Sequence, residues 1–359
     1  MLTPPEETGP PVPELLNALI ELGGSDLHLM AGSPPFARVN GDLRRLDGYA
    51  KLHPLAVKEM VYAILPQRLR ERFEQDLELD TSYSLPGVAR FRVNVYQQRD
   101  SVGATFRLIP SAIRTVEELG LPPVVAELAR APRGFVVVTG PTGSGKSTTL
   151  AAMVDVVNCE RAAHVMTIED PIEFLHQNQR SAVNQREVGQ DTKGFAQAVK
   201  HVLRQDPDVI LIGEMRDLET VSTAITAAET GHLVFATLHT QDAPQTIDRI
   251  VDVFPPAQQQ QVRVQLSTTL QGVVTQQLVP TADGDGRVVA AEVLVATPAV
   301  RALIRASKTE QIHGAMQTGG AVGMQTMDAS LAKLVRAGRI TREAALERCH
   351  DEAELQQLV

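Results

Sequence analysis

The stretch 140-GPTGSGKS-147 has the spacing G-x-x-x-x-G-K-[ST] of a loop that cradles phosphates. Its glycines let backbone N–H groups wrap anionic oxygens, and the N-terminus of a following helix adds positive potential. Lys146 is placed to reach β- and γ-phosphates, and Ser147 to ligate Mg²⁺. The expected nucleotide-binding set is Gly140, Pro141, Thr142, Gly143, Ser144, Gly145, Lys146, Ser147 and Thr148. The ligands this implies are ATP and Mg²⁺.

Hydrolysis at such a loop also needs a carboxylate for the metal and a base for the attacking water. The apolar run in 208-DVILIGEMRD-217 ends at Gly213-Glu214, so a glycine stands where an aspartate is usual. The nearest replacement is in 167-TIEDPIEF-174, which puts Glu169 and Asp170 at the end of another apolar strand. Glu169 is expected to hold Mg²⁺ or its water, with capping of the following turn as its competing role. Glu214 is expected to act as general base. In 230-TGHLVFATLHT-240, His232 precedes a strand and His239 follows it. Of the two, His239 sits on the edge where ligands bind.

These residues need a scaffold that brings strand ends together. Apolar strands at 135-FVVVT-139, 164-HVMTI-168, 208-DVILI-212 and 233-LVFATL-238 alternate with helical segments. That alternation predicts an α/β, doubly wound, mostly parallel sheet whose strands' C-terminal edge carries the site. From about residue 257 the chain reads as mainly helical, with a turn at 283-DGDG-286. Upstream, 14-ELLNALIELGGSDLHL-29 opens as an amphipathic helix. Short strands follow at 27–32, 36–46 and 79–109, with helices at 55–65 and 67–77 and a hairpin signal at Asn40-Gly41. The expected division is a disordered N-terminus (1–13), an α+β domain (14–109), a linker (110–133) and the α/β domain (134–359). Within the linker, Thr115 and Glu118 have capping-box spacing.

Composition narrows the function classes. The net charge of -9 argues against wrapping nucleic acid. Two cysteines, Cys159 and Cys349, make neither a disulfide framework nor a cysteine zinc site, and fit a reducing, cytoplasmic compartment. The start, 1-MLTPPEETGPPVP-13, lacks the basic and apolar regions of a signal peptide. The chain has no apolar run of membrane-spanning length. Any membrane association is therefore expected to run through a partner rather than by direct insertion.

Taken together, 140-GPTGSGKST-148, 167-TIEDPIEF-174, 208-DVILIGEMRD-217 and 229-ETGHLVFATLHT-240 resemble the Walker A, Asp box, Walker B and His box of the secretion-type ATPase superfamily. The blocks 25-SDLHL-29, 87-GVARFRVN-94, 183-VNQREVG-189 and 319-GGAVGMQTMD-328 are similar to the PilT family of type IV pilus retraction ATPases. This resemblance implies a PAS-like N-terminal domain, a RecA-like ATPase domain with a helical C-terminal region, and a homohexameric ring. It implies action on the inner-membrane platform protein PilC, with a paralogous retraction ATPase as a possible helper. The location would be cytoplasmic, peripheral at the inner membrane.

The resemblance makes Glu214 the catalytic glutamate and Glu169 the Asp-box acid, and assigns His232 and His239 to the His box. It also implies N-terminal arginines that act on the phosphates: Arg92 and Arg107 first, then Arg90 and Arg99. The family's AIRNLIRE block reads 299-AVRALIRA-306 here, keeping Arg301, Leu303, Ile304 and Arg305 as the expected coupling segment. On a helix Val300, Leu303 and Ile304 would pack inward, and Arg301, Arg305 and Lys308 would line another, outward face. Ala302 and Ala306 replace the family's Asn and Glu. The alternatives are a PilU-like accessory protein, a pilus-assembly or type II secretion ATPase, and a nucleic-acid translocase. A tetracysteine zinc insert would mark the assembly and type II secretion ATPases, and it is missing.

Overall fold

Val12, Leu15, Leu16 and Leu19 recur at helical spacing, and helix α1 (Val12–Glu21) buries all four. The helix starts before Glu14, inside the stretch expected to be disordered; residues 1–8 of that stretch lie outside the described residues. The computed structural model describes residues 9–110 and 112–359. Contacts divide it into two units, Met1–Ser111 and Ala112–Val359.

In the first unit α1 is followed by β1 (Asp26–Leu29), β2 (Phe36–Val39), β3 (Asp42–Arg45), α2 (Pro54–Ile64), α3 (Gln67–Asp76), β4 (Glu78–Leu85), β5 (Ala89–Gln98) and β6 (Ser101–Ile109). The strands form one antiparallel sheet in the order β3-β2-β1-β6-β5-β4. Asn40 and Gly41, at φ 51° and 89°, make the tight turn between β2 and β3. Leu27, Phe91, Val93, Val95 and Phe106 form the apolar face and share a core with α1, α2 and α3. The alternate residues make a polar face. There Asp26, Arg107, Arg92 and Ser82 lie side by side across β1, β6, β5 and β4.

The second unit runs α4 (Val124–Ala129), β7 (Gly134–Thr139), α5 (Lys146–Glu160), β8 (His164–Glu169), β9 (Ala182–Glu187), α6 (Phe195–Val202), β10 (Val209–Ile212), α7 (Leu218–Glu229), β11 (Leu233–Thr237), α8 (Ala243–Asp252) and α9 (Pro256–Thr269). It continues with β12 (Leu270–Pro280), β13 (Arg287–Val295), α10 (Pro298–Arg305), α11 (Ile312–Thr318), α12 (Met327–Arg336), α13 (Arg342–Leu346) and α14 (Glu352–Leu358). The sheet order is β13-β12-β7-β11-β10-β8-β9, parallel throughout except for β13. Side chains alternate between two cores. One lies under α6 to α11, the other under α4 and α5.

Two local expectations are corrected. The chain after 257 is not helical throughout, because 270–295 folds as the β12–β13 hairpin, with 283-DGDG-286 at its turn. Both faces of β12 are buried through its middle, so the period of two that marks a half-exposed strand is missing. The stretch 112–133 belongs to the second unit, where Val116, Leu121, Val125 and Leu128 enter its core. Thr115 and Glu118 do form reciprocal bonds, at 2.8 and 3.2 Å, but around a turn instead of a helix.

Candidate active site

Strand β7 is buried along its whole length and delivers the chain to Gly140 at the C-terminal edge of the sheet. The loop then turns through Gly140, Gly143 and Gly145, at φ 135°, 79° and 91°, a region that glycine reaches without strain. A Cβ on Gly140 would overlap the Gln276 carbonyl and the Ser144 hydroxyl, so the turn is also closely packed. Lys146 opens α5, is nearly buried, and donates from Nζ to the carbonyls of Gly140 at 2.8 Å and Pro141 at 3.0 Å. Burial pushes its ammonium pKa down, opposed by the charges of Glu214 and Glu173. The loop's own carbonyls thus hold the cation in place.

Glu169 ends β8, one strand over from Gly213. The two positions are level, because Ile168 pairs with Ile212 and the Gly213 N–H donates to the Ile168 carbonyl at 2.7 Å. A Cβ on Gly213 would lie 3.1 Å from that carbonyl oxygen and 3.2 Å from Glu169 Cα. A side chain at this position would thus be tightly packed, and level with it on the neighbouring strand stands the Glu169 carboxylate. Glu169 Oε1 accepts from Thr167 Oγ1 at 2.6 Å and Gln185 Nε2 at 3.1 Å. Burial nevertheless raises its pKa, and a bound cation would oppose that shift.

Glu214 follows immediately. Its Oε1 accepts from Arg216 Nε at 2.6 Å and lies 3.0 Å from His239 Nε2. The Arg216 hydrogen bond holds the carboxyl below its ordinary pKa despite partial burial. Thr237 Oγ1 donates to the Gly213 carbonyl, tying β11 to the turn that carries Glu214. The loop, Glu169, Glu214 and His239 line a cavity of about 440 Å³. Its glycine cradle, the Lys146 ammonium and the Ser147 hydroxyl suit a nucleotide polyphosphate. Ser147 with Glu169 makes a hard oxygen donor set suited to Mg²⁺.

The family model described as "Type II/IV secretion system protein" matches residues 106–353. The chain belongs to this family. The secretion ATPases most similar to it include the type IV pilus retraction ATPase PilT of Pseudomonas aeruginosa, 53% identical over 340 residues, 94% of this chain and 97% of the relative. The type IV pilus ATPase PilU of the same organism is 43% identical over 346 residues, 96% of this chain and 90% of the relative. A crystal structure of the pilus retraction motor PilT with bound ADP superposes with a TM-score of 0.90 at 48% identity, covering 97% of this chain and 99% of that one. The chain is accordingly an ATP hydrolase. Its fold is a PAS-like α+β domain plus a RecA-like ATPase domain with a helical C-terminal region.

Not every candidate of the secretion-ATPase reading comes to the cavity. His232 sits at the opposite end of β11 from His239, its Nδ1 2.9 Å from the Ala227 carbonyl. It closes the helix–strand turn after α7 and does not line the cavity. In the first unit, Arg92 and Arg107 face each other across β5 and β6. Arg107 Nε donates to Asp26 at 2.7 Å, and Arg92 lies 3.8 Å from Asp80. Burial acts to raise the Asp26 pKa, but Ser25 and Arg107 together bring it below its usual value. Arg90 bonds Ser82 at 2.6 Å, and Arg99 lies in the β5–β6 turn at φ 46°.

The expected coupling helix is α10. Val300 and Ile304 are buried and Leu303 is partly buried, as helical spacing predicts. Arg301 departs from the expected outward presentation. Its guanidinium donates to the carbonyls of Ala296 at 2.9 Å, Ser267 at 2.7 Å and Thr268 at 2.9 Å, closing the C-terminus of α9. Arg305 is exposed, and among the described residues its guanidinium reaches the Ser267 hydroxyl alone, at 3.4 Å.

The sequence reading missed Arg216, Gln276 and Arg287, the last of which lines the cavity. Arg216 had a signal, a cation two residues beyond the base in 214-EMR-216. Gln276 had none, because its partners lie more than a hundred residues away.

Proposed function

We propose that this ATPase powers the retraction of type IV pili, and hence twitching motility, as a Mg²⁺-dependent homohexameric motor. It would work in the cytoplasm, peripheral at the inner membrane, on the platform protein PilC, with domain movement carrying the output. One observation carries the reading: 53% identity across 97% of a pilus retraction ATPase. The accessory, PilU-like role is second, at 43%. Among the described residues no helix is long and apolar enough to cross a membrane.

In this mechanism the loop N–H groups and Lys146 bind the β- and γ-phosphates. Ser147 and Glu169 hold the metal, which when bound offsets charge on the phosphate oxygens. Glu214 takes a proton from the attacking water. His239 and Arg216 hold Oε1 and so fix the orientation of the carboxylate. Arg92 and Arg107 act as fingers on developing phosphoryl charge.

The test pairs chemistry with output. Purified protein should hydrolyse ATP with the mass of a hexamer, and a strain lacking it should be piliated but unable to twitch. Normal twitching in that strain would remove the retraction role while leaving the ATPase assignment in place.

A further inference from the structure

We infer that Gln276 is a positioning residue of the nucleotide site, holding the phosphate loop in the conformation that turns its N–H groups toward the phosphates. Gln276 lies on β12, next to β7, and is 1% exposed. Elsewhere on the strand Val273, Val274 and Val279 are fully buried and apolar, and adjacent Thr275 is buried with its hydroxyl bonded to Thr139. A buried amide in such a place is costly unless both its ends are bonded.

Both ends are bonded, and both to the nucleotide-binding segment. Nε2 donates to the Ser144 carbonyl at 2.7 Å. Oε1 accepts from Thr149 Oγ1, in α5, at 2.8 Å. The main-chain carbonyl of Gln276 also packs where Gly140 has no side chain. One residue thus touches the loop at Gly140 where it leaves β7, at Ser144 just before the helix cap, and α5 itself at Thr149 in its first turn.

The Ser144 contact matters most. In a trans peptide the carbonyl and the following N–H point in opposite directions. Drawing the Ser144 carbonyl toward β12 turns the Gly145 N–H the other way, out of the strand layer and available to an anion. Without the brace the 144–145 peptide is free to rotate, and each binding event must then order it again. The inference rests on the loop's part in ATP chemistry and not on what the motor moves.

The experiment uses the full-length protein. Gln276→Met keeps length and flexibility but has no strong donor or acceptor. Thr149→Val removes the hydroxyl that anchors Oε1, and Thr149→Ser retains it. For each, ADP affinity and stoichiometry are measured by titration, with KM and kcat for ATP and the melting temperature without nucleotide.

Gln276→Met should raise the Kd for ADP and the KM for ATP about tenfold, the scale of one or two hydrogen bonds. Stoichiometry should stay full, and kcat should fall by less than about threefold. Thr149→Val should weaken ADP about threefold, and Thr149→Ser should bind like wild type. A purely structural role would lower the active fraction and leave Kd and KM unchanged, and that result overturns the inference. If Gln276→Met does not fold, the Thr149 pair decides: equal ADP affinity in the Val and Ser variants overturns it. Failure of the wild type itself to bind ADP would instead strike the ATPase reading.

Discussion

Arg216 Nε and His239 Nε2 converge on one oxygen of Glu214, at 2.6 and 3.0 Å. A carboxylate held on one oxygen by two donors keeps a fixed orientation, and the guanidinium lowers its pKa. Glu214→Gln should retain ATP binding and lose about 10²–10⁴-fold in kcat, the usual contribution of a general base. Turnover within a few-fold of wild type would remove Glu214 from that role.

The Arg216 hydrogen bond is also the first cause of the lowered Glu214 pKa. Removing it raises that pKa, so the base is protonated at a higher pH than before. Arg216→Gln should therefore shift the acid limb of the kcat/KM profile upward, with activity lost sooner as pH falls. An unmoved acid limb would mean that the ion pair does not set the state of the base.

With Gly213 unable to ligate, the metal carboxylate is assigned to Glu169. Glu169→Ala should raise the Mg²⁺ concentration for half-maximal activity, and Ser147→Ala should do the same. An unchanged Mg²⁺ titration for Glu169→Ala would return that side chain to its Thr167 and Gln185 contacts alone.

Arg301 and Arg305 separate stability from coupling. Arg301→Ala leaves three carbonyls without their donor and should destabilise the protein by roughly 1–3 kcal/mol, read from thermal or urea unfolding. Arg305→Ala should change stability little and preserve ATPase activity, yet impair twitching. Wild-type twitching in that variant would place the coupling surface away from Arg305.

The arginine fingers can be tested by removing the first unit. The cut belongs at Ala112, because a start near Arg133 would strip Val116, Leu121, Val125 and Leu128 from the second unit's core. The 112–359 fragment should bind ADP and hydrolyse ATP poorly. Full activity there would exclude Arg92 and Arg107.

The phosphate loop was legible in the sequence because its chemistry is local: glycines, Lys146 and Ser147 act within one turn. The strands β7, β10 and β11 were legible because each carries a short, uninterrupted apolar run, and β8 because its run is broken only by Thr167. Glu169 could be placed at a ligand edge, but its level pairing with Gly213 depends on which strands are neighbours. His232 and His239 were separable in sequence, because one precedes and the other follows the apolar run of β11, and strand direction puts only the second at the C-terminal edge. Arg301 and Arg305 read as one basic face. The difference is that Arg301 falls beside the exposed carbonyls ending α9, a fact of tertiary packing. The β12–β13 hairpin escaped notice because burial on both faces erases the alternation that announces a strand.

Gly213 has a consequence for how this site can change over generations. The atoms that crowd its missing side chain are the Ile168 carbonyl and Glu169 Cα, both main chain. No replacement of a neighbouring side chain can clear them. Placing the proposed metal acid on β10 instead would need those main-chain atoms to give by a few tenths of an ångström as well as a new aspartate. A single substitution at Gly213 therefore meets main-chain resistance first, which favours keeping the proposed acid on β8 over generations.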